Sequence, residues 1–224
     1  MGNIVTYKAN GRDAQGYLAL PPSGNGPGVV VIQEWWGLVP QIKGVADGLA
    51  REGFVALTPD LYHGKTTTSP DEAGKLMMAL RIDEAEKDLR GAVRYLLASG
   101  EVTSKKVGTI GFCMGGALSL FAASKNAEVG GCVVFYGGHP NVKPDLASLQ
   151  APVLGLYAEK DGFVTPESVK KLDAELTHLG KRHEFHTYPG VDHAFMNETG
   201  KNYDPAAAAD AWRRAVAFLK AELR

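Results

Sequence analysis

Three residue types that acyl transfer needs occur along the chain in the order nucleophile, acid, base: Cys113, Asp161 and His193. Cys113 sits in Gly111-Phe112-Cys113-Met114-Gly115-Gly116, where an apolar run of strand type passes at once into a helical pattern. A nucleophile at the tip of such a strand–turn–helix elbow needs glycines two positions to either side, because a Cβ there would strike the neighbouring strand or helix. Gly111 and Gly115 meet that need, and Gly116 extends the clearance. The turn also places Cys113 at a helix N-terminus, whose dipole favours thiolate over thiol. A thiol nucleophile requires an imidazole to take its proton, and the imidazole requires an acceptor that fixes its tautomer. His193, within Gly190-Val191-Asp192-His193-Ala194-Phe195, and Asp161, just before Gly162, are of the right types. Singly, each has a plainer explanation: a buried inert cysteine, an ordinary loop histidine, a turn aspartate. Their shared order, each after its own strand pattern, points to nucleophilic catalysis.

The elements that must position them alternate between apolar strands and amphipathic helices. Residues 3–9 and 15–20 are strand-like and flank Asn10-Gly11, a hairpin signal. Apolar runs at 28–33, 54–58, 107–112, 131–136 and 152–157 read as buried strands, with a last strand at 184–188. Helical spacing covers 40–53, where Ile42, Val45, Ala46, Leu49 and Ala50 share a face and Gly53 ends it. Further helices are predicted over 71–81, 83–98, from the elbow to Ser124, over 167–180 and over 205–223. The pattern predicts a single α/β domain over 1–224, a mostly parallel twisted sheet with helices on both faces and an N-terminal antiparallel hairpin. Sites in such sheets lie beyond the carboxyl ends of the strands. That criterion selects Glu34, Tyr62, His63, Cys113, Tyr136, His139, Asp161, Asp192 and His193.

Composition narrows the ligand. A net charge of −1 over 224 residues gives no electrostatic reason to expect nucleic acid or an anionic membrane, so a small molecule is the expected partner. No apolar run is long enough for a membrane span, and the start of the chain lacks the basic and apolar regions of an export signal; a cytoplasmic location is expected. Gly2 and Thr6 fit an acylation pattern, but no polybasic patch or second lipid site accompanies them, and no anchor is expected. The second cysteine, Cys132, lies in an apolar run and reads as a core residue, with no disulfide. His183 and His186 have a metal-like spacing, but in a strand residues three apart face opposite ways. Neither metal nor cofactor is expected.

Gln33-Glu34-Trp35-Trp36-Gly37, Pro59-Asp60-Leu61-Tyr62, the Cys113 elbow, Asp161 and Asp192-His193-Ala194-Phe195 together resemble the dienelactone hydrolase family. These are carboxymethylenebutenolidase-type α/β-hydrolases with a cysteine nucleophile, and the resemblance spans nearly the whole chain. It implies a triad of Cys113, Asp161 and His193, with an oxyanion hole from the backbone N–H groups of Trp35 and Met114. It further implies that Glu34 pairs with the thiol, sharing a proton in a neutral resting state. On its own, Glu34 also fits a solvated loop position. Trp36, Tyr62 and Tyr136 are expected in the pocket wall, although each also fits plain core packing. The implied activity is that of a monomeric, cofactor-free hydrolase cleaving a small ester or lactone through an acyl-enzyme. Two alternatives stay open: another acyl hydrolase, of thioesters or peptides, on the same scaffold, and a non-enzymatic thiol sensor of redox state or electrophiles.

One departure from the family pattern bears on substrate. Members acting on dienelactone itself hold its carboxylate with two arginines, one in the segment after the Pro59–Tyr62 motif and one just beyond the histidine. Here Met196 and Asn197 follow Phe195, and the earlier segment carries Asp71 and Glu72, with Lys65, Lys75 and Arg81 as candidate cations. A neutral ester or lactone is therefore at least as compatible as an anionic dienelactone.

Overall fold

The computed structural model describes residues 2–224. Met1, where both the export and the acylation readings begin, lies outside them. The Gly2 amide donates to the Tyr17 hydroxyl at 2.7 Å and to the Asp47 carboxylate at 3.0 Å. The chain opens with β1 (Asn3–Ala9) and β2 (Arg12–Ala19), joined by Asn10 and Gly11 at φ 50° and 72°. Two central residues of positive φ make a turn whose twist suits an antiparallel pair. Pairing therefore starts at once, with Ala9 opposite Arg12, and β2 begins three residues before the alternation alone predicts.

The remaining elements are β3 (Gly28–Ile32), α1 (Pro40–Arg51), β4 (Val55–Pro59), α2 (Pro70–Ala79), α3 (Ile82–Ala98), β5 (Val107–Phe112), α4 (Met114–Lys125), β6 (Val129–Phe135), β7 (Val153–Ala158), α5 (Pro166–His178), β8 (His183–Tyr188) and α6 (Pro205–Glu222). Three helices start one residue after a side-chain cap, with proline in the first position: Ser69 before α2, Thr165 before α5 and Asp204 before α6. Each cap oxygen satisfies one of the free N–H groups of the first turn, and the proline has no N–H to leave unpaired.

The strands form one sheet in the order β1-β2-β4-β3-β5-β6-β7-β8. β2 runs antiparallel to both β1 and β4, and the pairs from β4 to β8 are parallel. Alternate residues of β3 serve two cores: Val30 and Ile32 pack with α3, α4 and α5, whereas Val29 and Val31 pack with α1 and α6. The apolar runs carry no polar alternation because both faces are covered. β8 is the half-buried edge, where His183 meets Asp173 on α5 at 3.0 Å and His186 meets Arg214 on α6 at 3.0 Å. The two imidazoles thus face opposite layers. Among the described residues no helix is long and apolar enough to cross a membrane.

The sheet order places the site. After β3 the chain crosses to β4 on one side, and after β5 it crosses to β6 on the other. The loops leaving the adjacent ends of β3 and β5 diverge, which opens a crevice at their carboxyl ends. The Glu34 loop and the Cys113 elbow flank that crevice. α4 can approach β3 only because Gly115 has no side chain: a Cβ there would overlap the carbonyl oxygens of Ile32 and Gln33. Gly115→Ala should therefore cost about 1–3 kcal/mol, lowering Tm by about 2–10 °C. Thermal unfolding checks this, and an unchanged Tm would contradict the packing described.

Candidate active site

Cys113 caps α4 with φ 53° and ψ −120°, a conformation that non-glycine residues rarely adopt. Such backbones cost about 1–3 kcal/mol and persist only where their surroundings over-determine them. Here the Cys113 N–H donates to Phe135 O at 3.1 Å, and its carbonyl accepts from Gly116 N at 2.9 Å and Gly138 N at 3.2 Å. The side chain, 7% exposed, is turned into a cavity of about 550 Å³. Cys132 is different: it is fully buried beside Ser119, and burial pushes its thiol up to about 11.

Asp161 follows β7 and is 2% exposed. Its Oδ1 accepts the N–H groups of Phe163 at 2.8 Å and Val164 at 2.7 Å, so the turn itself locks the carboxylate. Oδ2 meets His193 Nδ1 at 2.6 Å. His193 and Cys113 line the same cavity, with the imidazole Nδ1 committed to Asp161. Burial alone would lower the His193 pKa, but the Asp161 hydrogen bond and the neighbouring Cys113 sulfur outweigh it and push it up to about 10. The loop carrying His193 is tied down in turn, with Asn202 Nδ2 donating to the His193 carbonyl at 2.9 Å.

Glu34 lines the same cavity, and no hydrogen bond joins it to Cys113 among the described residues. Its two carboxyl oxygens are taken elsewhere: Asn197 Nδ2 donates to Oε2 at 2.9 Å and the Tyr136 hydroxyl to Oε1 at 3.3 Å. Two donors hold a carboxylate better than a thiolate, which repels it. Burial raises the Glu34 pKa above its ordinary value, and Asn197, the His193 charge and Tyr136 in that order pull it back only in part. The Asn197 amide has one orientation, because its Oδ1 accepts the Thr199 N–H at 3.0 Å and hydroxyl at 2.7 Å. Asn197 thus stands just beyond the histidine and occupies Glu34 instead of facing a substrate carboxylate.

The backbone N–H groups of Trp35 and Met114 flank Cys113 in space and in sequence respectively, and neither donates to another protein oxygen among the described residues. Trp36 lines the cavity as expected. Tyr62 and Tyr136 do not. The Tyr62 hydroxyl points at Met114 Sδ, 3.3 Å away, from the opposite core, and its ring borders a separate cavity. Tyr136 is fully buried behind the wall, its ring edge-on to His193 at 5.0 Å and its hydroxyl on Glu34. Nor do the three candidate cations reach the site: Lys65 and Arg81 border that separate cavity, and Lys75 pairs with Glu72 at 2.7 Å. Among the described residues, Lys201 is the one lysine or arginine lining the cavity. Sequence reasoning missed Lys201 and Phe163, although both lie in loops beyond strand ends, the very places that criterion selects.

Comparison with known proteins bears on the family and the fold. The model of the dienelactone hydrolase family matches residues 14–223. The chain is 41% identical to Protein usf of Aquifex pyrophilus over 98% of each chain. It superposes on a dienelactone hydrolase-like promiscuous phosphotriesterase from metagenomic libraries with a TM-score of 0.88, 26% identity and coverage of 100% of this chain and 99% of the other. An acylaminoacyl peptidase of Pyrococcus horikoshii shares the fold at 12% identity, with a TM-score of 0.77 over 100% of this chain and 42% of its own.

The Glu34–Asn197 contact has a pH signature. A carboxyl whose pKa is raised by folding binds its proton more tightly in the folded state, so stability declines as pH rises above the ordinary value of 4.5. Asn197→Leu removes a donor from the charged form and raises that pKa further. The variant should lose about 1–3 kcal/mol, with a larger loss at pH 8 than at pH 5. Urea unfolding at the two pH values checks it; equal losses would contradict the contact.

Proposed function

The chain belongs to the dienelactone hydrolase family and is an ester or lactone hydrolase, and on that premise we propose that Cys113 is the nucleophile of an acyl-enzyme mechanism. The observation that carries this reading is the 2.6 Å contact of His193 with Asp161, made by an imidazole that shares the cavity wall with Cys113. The Cys113 thiolate attacks the carbonyl carbon, and the carbonyl electron pair moves onto oxygen, where the amides of Trp35 and Met114 receive it. Losing one such donor typically costs about 3–4 kcal/mol of transition-state stabilisation. The intermediate collapses by breaking the bond to the alkoxy group, which takes the His193 proton and leaves as alcohol. Cys113 then carries a thioester. Water gives a proton to His193 and attacks that thioester, releasing the acid and restoring the thiolate–imidazolium pair.

The cavity favours an uncharged substrate. Lys201 is exposed, and the carboxyl groups of Glu34 and Asp192 share the wall with it. An exposed lysine facing a carboxylate gains about 0–1 kcal/mol, too little to select an anion against that background. A neutral small ester or lactone fits better. A thiol sensor has no use for the imidazole held by a buried, fully hydrogen-bonded aspartate.

Steady-state hydrolysis of phenyl acetate tests the roles. Cys113→Ala should abolish turnover, and Asp161→Asn should lower kcat by about four orders of magnitude through the wrong histidine tautomer. Wild-type activity in Cys113→Ala would overturn the mechanism. Lys201→Ala should change kcat/KM for an anionic lactone by no more than about fivefold, and a much larger loss would show that the substrate is anionic after all.

A further inference from the structure

Phe163 stands between the catalytic cavity and a second cavity of about 420 Å³ on the other side of the elbow, and it lines both. Its N–H is fixed by Asp161, while its ring is 50% exposed and meets the His193 imidazole edge-on with centroids 5.6 Å apart. A Cβ on Gly138 would come within 2.9 Å of this ring, so the glycine gives Phe163 its resting place. A second link joins the two walls: His139, bordering the second cavity, donates from Nε2 to the carbonyl of Met77, bordering the first, at 3.1 Å.

The second cavity is walled by α4 and α5 through Ala117, Leu120, Val169 and Leu172. No charged side chain lines it among the described residues. Its histidine is committed, with Nδ1 accepting Asn141 N at 3.0 Å, and its serine, Ser168, donates to Thr165 O at 2.7 Å, which leaves the buried Tyr157 hydroxyl as its one side-chain polar group without a partner. An occupant must therefore be uncharged and largely apolar.

We infer that this cavity receives the alcohol arm of larger ester substrates, with Phe163 as the partition that turns aside to admit it. The inference rests on the ester reading of Cys113. The leaving oxygen must reach His193 to take its proton, and Phe163 packs on that imidazole, so of the two arms of an ester it is the alkoxy arm that is aimed at Phe163. A side-chain rotation is enough, because Phe163 is half exposed.

The test uses Val169, on α5 and away from the elbow. Val169→Phe fills the cavity and Val169→Ala leaves it open. The ratio of kcat/KM for 2-naphthyl acetate to that for methyl acetate should fall at least about tenfold in Val169→Phe and stay within about threefold in Val169→Ala. A ratio in folded Val169→Phe within about twofold of wild type would overturn the inference. Binding of 2-naphthol, followed by its fluorescence, reads the cavity without turnover. It should saturate on wild type and weaken at least about tenfold in Val169→Phe; equal binding to both would also overturn the inference. If 2-naphthol bound as expected but no ester were hydrolysed, the ester reading itself would fall, and the assignment of an alcohol arm with it.

Discussion

The strained backbone of Cys113 is the constraint on which the site depends. At φ 53° the residue can neither continue β5 nor join α4, and so its side chain is thrown out at the end of the sheet. Hydrogen bonds from β6 and from the Gly137-Gly138 turn hold it there, and Gly111, Gly115 and Gly116 let three backbone segments close around it. Tyr136 at φ 38° and Ala194 at φ 63°, each beside a residue of the site, carry the same kind of strain. Strain of this size is a sizeable share of a domain's net stability, so the cores on both sheet faces must supply the surplus.

On that frame the electrostatics are those of one proton among three acidic groups. Asp161 holds the imidazole through Nδ1, and with the neighbouring Cys113 sulfur it raises the imidazole pKa. Glu34 gives its two oxygens to Asn197 and Tyr136. Just beyond the histidine, the Asn197 amide is bonded to Glu34 and Thr199. The cavity is consequently committed to organising its own charges, with little left over for a charge on the substrate. The apolar space beyond Phe163 is consistent with the same preference.

The fold was legible because its signals are local or periodic: apolar runs, helical stripes and the Asn10-Gly11 turn. Errors fell at boundaries, as at β2, where the turn type rather than the alternation fixes the first pair. The meeting of Asp161 with His193, and the sharing of one cavity by His193 and Cys113, were legible from chain order and strand ends. What was not legible depends on side-chain direction. Tyr62 and Tyr136 sit in the right loops but point into the cores, and Lys65 and Arg81 face another cavity. Glu34 chose Asn197 over Cys113, a partner distant in sequence and invisible to any local pattern.

The most direct test of the central claim is intact-mass spectrometry of the enzyme mixed with phenyl acetate and quenched in acid within its first turnovers. The expected result is a mass increase of one acetyl group, mapped by peptide digestion to Cys113 and absent from Cys113→Ala. Hydrolysis without any adduct on Cys113, or an adduct that survives in Cys113→Ala, would contradict the acyl-enzyme mechanism.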